Sequence, residues 1–202
     1  MNKSNHCKLS NKAIEWINGE LLGDGCLQSC SIYSARFQYG SKYLEYIEYI
    51  RDTLKSFGIK QSGKIRKTYI ENYGAYIFSY SSLSYVELRP IRERWYPKGK
   101  KIIPKDLELT PLTCRQWYIG DGSLKHRKIG GQGRPRIVLA THCFVIPDVE
   151  NLIGKLIYLG FKTTRWLSNE MYISTYSTKE FLNYIGKCPV KCYQYKFNYE
   201  MS

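Results

Sequence analysis

Two glycine-aspartate-glycine turns, Gly23-Asp24-Gly25 and Gly120-Asp121-Gly122, each close an apolar, helix-like stretch. A carboxylate there is costly, because the C-terminal end of a helix carries partial negative charge. Two such carboxylates brought together would also repel each other unless a cation joined them. Keeping that cost twice points to work done by the pair, and hard oxygen ligands of this kind suit Mg²⁺. Asp24 and Asp121 are therefore the candidates for a shared metal site, whereas one isolated turn of this type would be read as a tight bend and nothing more.

The surroundings of the turns repeat as well. ELLGDGCL (20–27) answers YIGDGSL (118–124), and YIFSYSS (76–82) answers YISTYST (172–178), in the same order and at similar spacing. A unit of about a hundred residues is too long for a solenoid repeat. It reads instead as a pseudo-dimer whose halves each give one aspartate to a common site.

The elements that must position these residues follow from pattern. Ser10 or Asn11 can cap a helix through Ala13, Ile14, Ile17 and Leu21, one apolar stripe at helical spacing. Gly19 and Gly23 lie four apart on one face, where a second helix could come close; Gln116 replaces Gly19 in the second copy, so the close approach is less plainly encoded there. Two short strands fit around 31–39, then a helix over 42–57 stopped by Gly58. A hairpin over 64–69 and 73–81 puts Tyr76, Phe78 and Tyr80 on one face and Lys64, Arg66 and Thr68 on one cationic face. A helix through Val86, Leu88 and Ile91 closes the first half.

The stretch WYPKGKKIIP (95–104) is the natural join. Thr110 before Pro111 can open the next helix, which runs to Tyr118 and Ile119. The order then repeats: a basic hairpin with Lys125, Arg127, Lys128, Arg134 and Arg136, a helix over 147–159 stopped at Gly160, and strands near 163–167 and 171–177. The expected fold is α+β, two α-β-β-α-β-β-α half-domains at 1–95 and 110–202 joined by a linker at 96–109.

Composition narrows the partner. A formal net charge of +14 on 202 residues points to a polyanion, since phosphate backbones gain affinity by releasing counterions to cationic side chains. No run of eighteen apolar residues and no secretory signal is evident, which favours a soluble, intracellular protein with no membrane partner. Seven cysteines fit a reducing compartment better than a disulfide framework. Cys26 with Cys30 and Cys188 with Cys192 could in principle hold zinc, but the spacing is permissive rather than diagnostic.

The helices and turns INGELLGDG (17–25) and CRQWYIGDG (114–122), with the join WYPKGKKIIPKDLELTPLT, resemble the paired motifs of LAGLIDADG homing endonucleases in their monomeric, two-motif form. That resemblance spans nearly the whole chain and implies saddle-shaped antiparallel sheets, with two motif helices side by side between the halves. It implies acidic residues at the scissile phosphates, Asp24 and Asp121, aided by the main-chain carbonyls of Gly23 and Gly120 as metal ligands. Polar groups around the metal are expected from Gln38 and Lys179. A divalent ion there would activate water and stabilise phosphate charge.

DNA contacts are expected from the strands, with Arg36, Lys64, Arg66, Arg134, Arg136 and Arg165 as the candidates for base edges or phosphates. The implied function is a Mg²⁺-dependent, sequence-specific endonuclease acting as a monomer on a long asymmetric duplex. The principal alternative is an intron RNA-binding maturase, and a third reading is a DNA-binding regulator that does not cut.

Overall fold

The computed structural model describes residues 5–125 and 135–199. Its first helix, α1 (Asn11–Leu22), starts where the Ser10 hydroxyl accepts from the Ala13 amide, satisfying one of the free donors of a helix start. The second motif helix, α4 (Pro111–Asp121), starts in the same way: the Thr110 side chain accepts from the Thr113 amide, and Pro111 sits in the first turn, where no donor is needed.

Each motif helix is followed by strands and helices in one order. The first half contains β1 (Cys26–Ser29), β2 (Ala35–Ser41), α2 (Leu44–Ser56), β3 (Arg66–Ile70), β4 (Ala75–Ser81) and α3 (Leu88–Trp95). The second contains β5 (Gly122–Lys125), β6 (Arg136–Leu139), α5 (Ile146–Tyr158), β7 (Thr163–Arg165), β8 (Met171–Ile173) and α6 (Thr178–Ile185). The sheets are antiparallel with matching orders, β1-β2-β4-β3 and β5-β6-β8-β7. Arg127, Lys128 and Arg134 lie outside the described residues.

Strand alternation sorts each sheet into a core face and an open face. In β2 the residues Ala35, Phe37 and Tyr39 are buried, while Arg36 and Gln38 between them are not. In β6 and β8 the side chains of Ile137, Leu139, Met171 and Ile173 are buried on the core face. The helices α2 and α5 pack against the sheets, and the resulting core runs continuously through both halves.

The halves meet along α1 and α4. A Cβ placed on Gly19 would stand 2.5 Å from the Thr113 carbonyl oxygen and 2.8 Å from the Gln116 Cβ. Farther along, a Cβ on Gly23 would lie 3.4 Å from the Gly120 Cα, and a Cβ on Gly120 would lie 3.4 Å from the Gly23 Cα. The Gly19–Gln116 and Gly23–Gly120 contacts join positions that correspond in the two motifs, as a twofold axis between the helices requires. Gln116 does not weaken the approach: the absent side chain of Gly19 makes room for it, and its amide donates to the Tyr49 hydroxyl at 2.9 Å.

Strand register corrects one part of the internal repeat. Cys26 pairs with Gln38 and Gln38 with Ser81; the corresponding Ser123 pairs with Val138 and Val138 with Tyr172. Ser81 therefore corresponds to Tyr172, not to Ser177, and the similar strings at 76–82 and 172–178 are not superposed. The physical reason is length: β4 begins at Ala75, well before Ser81, whereas β8 begins at Met171, immediately before Tyr172, so the second hairpin is shorter at its turn end.

Candidate active site

Because Gly23 and Gly120 touch, the next residue of each motif lies beside the axis. Asp24 is exposed just past α1, and Asp121 is the half-buried last residue of α4. A Cβ on Gly120 would be 3.5 Å from the Asp24 amide nitrogen, and one on Gly23 would be 3.8 Å from that of Asp121. Burial, and then the charge of Asp24, pushes the Asp121 carboxyl up to about 7, with Lys101 and Lys196 opposing the shift. The Tyr39 hydroxyl, 3.5 Å away, donates to Oδ2 of Asp24.

Two lysines complete the symmetry. Lys101 Nζ donates to the carbonyls of Gly23 (3.1 Å) and Gly25 (3.2 Å). Lys196 Nζ donates to those of Ile119 (2.6 Å) and Gly120 (3.1 Å). Burial lowers both ammonium groups, Lys196 to about 8, while Asp24 and Asp121 act to raise them. Each ammonium is thus held by the carbonyl that precedes one of the two aspartates.

Neither lysine was named from the sequence, which pointed to Lys179. That residue is exposed in the first turn of α6 beside Asn183 and Gly186, and the ammonium that reaches the Gly120 carbonyl belongs to Lys196. A signal was present in the chain: a lysine recurs at nearly the same distance past each aspartate, in the segment that follows the last helix of each half.

Other candidates gather on the open face of the first sheet. A hollow of about 390 Å³ is lined by Asp24, Cys26, Gln38, Lys64, Arg66 and Thr68, among others. Gln38 donates to the Ser81 hydroxyl at 3.1 Å. Arg66 and Thr68 stand on β3, with Lys64 just before it. In the second half the position of Gln38 is taken by Val138, so the polar group is present on one side only.

The arginines divide. Arg36 and Arg136 face the open side, since their strand neighbours Phe37 and Ile137 are core residues. Arg165 is placed otherwise: it pairs with the buried Met171 across β8, and its Nε lies 2.7 Å from Oε1 of Glu150 in α5. It belongs to the helix side and is already neutralised. Arg134 lies outside the described residues.

The donor set fits a hard divalent cation. The Asp24 and Asp121 carboxylates interact at the motif ends, and a cation would relieve the repulsion that adds to burial in raising Asp121. Among the described residues no three His, Cys, Asp or Glu side chains gather as a metal site. The same absence leaves no zinc site among the described cysteines, all of which are free thiols. Among the described residues no helix is long and apolar enough to cross a membrane.

Known proteins share this fold. The homing endonuclease I-WcaI bound to its DNA recognition sequence is similar at a TM-score of 0.81 and 20% identity, over 96% of this chain and 89% of that one. I-DmoI in complex with DNA and Mn is similar at 0.52 and 16% identity, over 85% and 97%. The cytochrome b mRNA maturase bI2 of Debaryomyces hansenii is 26% identical over 166 residues, 73% of this chain and 56% of the maturase. The chain spans about half the length of the curated relatives it matches. The family model of the LAGLIDADG DNA endonuclease family matches residues 14–181, and with two motif helices, two matching sheets and one aspartate from each motif at the axis, the chain belongs to that family.

Proposed function

We propose that the chain is a sequence-specific endonuclease that hydrolyses both strands of a long, asymmetric DNA duplex with Mg²⁺, acting as a soluble, intracellular monomer. Its halves at 1–95 and 110–202, joined by 96–109, would each cover one half of the target. The observation that carries this reading is the pairing of Asp24 and Asp121 across the Gly23–Gly120 contact, with a lysine on the carbonyl before each.

In this reading Asp24, Asp121 and the carbonyls of Gly23 and Gly120 would hold the metal, which when bound would supply an activated water and stabilise charge on the phosphate. Lys101 and Lys196 orient those carbonyls and add positive charge beside them. Gln38 orders water in the first half, and Arg36, Lys64, Arg66 and Arg136 hold the duplex against the open faces. The manganese and DNA named for I-DmoI support divalent-ion chemistry on this fold. Mobility of the encoding intron is the biological role that goes with such an enzyme.

One finding favours a second reading. The similarity to an mRNA maturase makes intron RNA an additional ligand to test. A randomised duplex library incubated with Mg²⁺, and in parallel with Ca²⁺, decides between the two once the cut ends are sequenced. Defined double-strand ends with Mg²⁺ support the nuclease. Duplex binding without cutting, together with selective binding of intron RNA, would replace it with the maturase.

A further inference from the structure

The two open faces carry an arginine at the same place. Gln28 stands opposite Arg36 in the first sheet, and Lys125, which occupies the position of Gln28, stands opposite Arg136 in the second. Arg36 and Arg136 are therefore twofold-related, although nothing in the repeated strings aligns them.

Both guanidinium groups have a neighbour that orients them, by different means. In the first half the Gln28 side-chain oxygen accepts from Nε of Arg36 at 2.8 Å, leaving the two terminal nitrogens without a hydrogen-bond partner among the described residues. In the second, Arg136 lies 4.6 Å above the Tyr172 ring and 5.7 Å from that of Trp166. Those rings are 5.3 Å apart, and Tyr172 is pinned in turn because its hydroxyl donates to Glu170 at 2.9 Å. A phosphate contact needs charge and reach, which an exposed lysine supplies. A fork held in one orientation suits a planar partner with two acceptors at fixed spacing, which guanine presents in the major groove through O6 and N7.

We infer that Arg36 and Arg136 are a twofold-related pair of guanine readers, so that the target carries one guanine in each half at equal distance from the centre of the cut and on opposite strands. This rests on the proposed reading of the chain as a duplex-DNA enzyme. The pair is a symmetric mark in an otherwise asymmetric site, because the neighbours differ: Gln28 and Gln38 on one side, Lys125 and Val138 on the other.

The test is selection of bound duplexes from a randomised library without Mg²⁺, using the wild-type chain and the variants Arg36→Lys, Arg136→Lys and Trp166→Ala, with thermal melting to confirm that each is folded. The wild type enriches guanine at two equidistant positions. Arg36→Lys loses about 10- to 100-fold discrimination at one of them only, and Arg136→Lys at the other only. Both retain the salt dependence of binding because the charge is kept. Trp166→Ala weakens the second position and leaves the first. Duplex binding without such a guanine pair, or a uniform drop in affinity across all sequences, overturns the inference and leaves the nuclease reading standing. Failure of the wild-type chain to bind any duplex overturns both.

Discussion

The two halves agree at the axis and diverge away from it. Gly23 and Gly120 make the same backbone contact from both sides, and each preceding carbonyl has its lysine. A few residues outward, the polar Gln38 of the first half is replaced by Val138 at the corresponding position of the second, and an amide-held arginine is matched by one stacked on rings. Close packing of the motif helices leaves little room for variation, because an atom added at Gly19 would have to displace the Thr113 main chain. Open sheet faces carry no such restriction, so they can differ as two unlike halves of a DNA site would demand.

The strongest way to break this comparison is at the axis. Gly19→Val would drive a side chain into the Thr113 carbonyl and cost about 3 kcal/mol or more, read as lost cooperative unfolding or a large fall in melting temperature. Gly154 in α5 meets nothing within 4 Å, and Gly154→Ala should instead stabilise by about 0.5–1 kcal/mol. Equal effects at the two glycines would mean that the motif helices are not packed as described.

Next in size are the lysines. Lys196→Met and Lys101→Met should each slow double-strand cleavage by about 100-fold, the scale for removing one preorganised donor, while Lys179→Met stays near wild type. If Lys179→Met were as damaging as Lys196→Met, the assignment by geometry would be wrong.

The carboxylates are unlike in exposure, and pH sharpens the contrast. Burial and the Asp24 charge raise Asp121 to about 7, so the folded protein holds a proton there that the unfolded chain has released. Stability of the metal-free protein should therefore fall as pH rises from the ordinary carboxylate range through about 7. Asp121→Asn should remove that slope and melt higher than the wild type above pH 7. A wild-type melting temperature that rises across this window would contradict the shift.

The smallest effects separate the cations. Arg66→Ala, on the open face, should reduce the salt slope of DNA binding by about one. Arg165→Ala removes a pair with Glu150 and should cost less than about 1 kcal/mol of stability while leaving the slope unchanged. A reduced slope for Arg165→Ala would return it to the DNA side.

Local chemistry explains which parts were legible in the sequence. Ser10 and Thr110 announce their helices because caps act within one turn, and the Gly-Asp-Gly turns stand out because their cost is local. Strand alternation likewise separates Phe37 from Arg36 and Gln38. Lys101 and Lys196 were hidden because they come from segments far along the chain that bear no periodic pattern and reach the site only through tertiary packing. Arg165 misled because charge on a short strand does not reveal which face it occupies. The strings at 76–82 and 172–178 misled because similar letters survived while strand length changed.

The central claim is that Asp24 and Asp121 form one catalytic pair. Its most direct test is strand-resolved cleavage of the selected target with Mg²⁺ by the wild type, Asp24→Asn and Asp121→Asn, with binding measured alongside. The account predicts that each single variant binds the duplex yet fails to break both strands. Full double-strand cleavage by either variant, with binding intact, would contradict it.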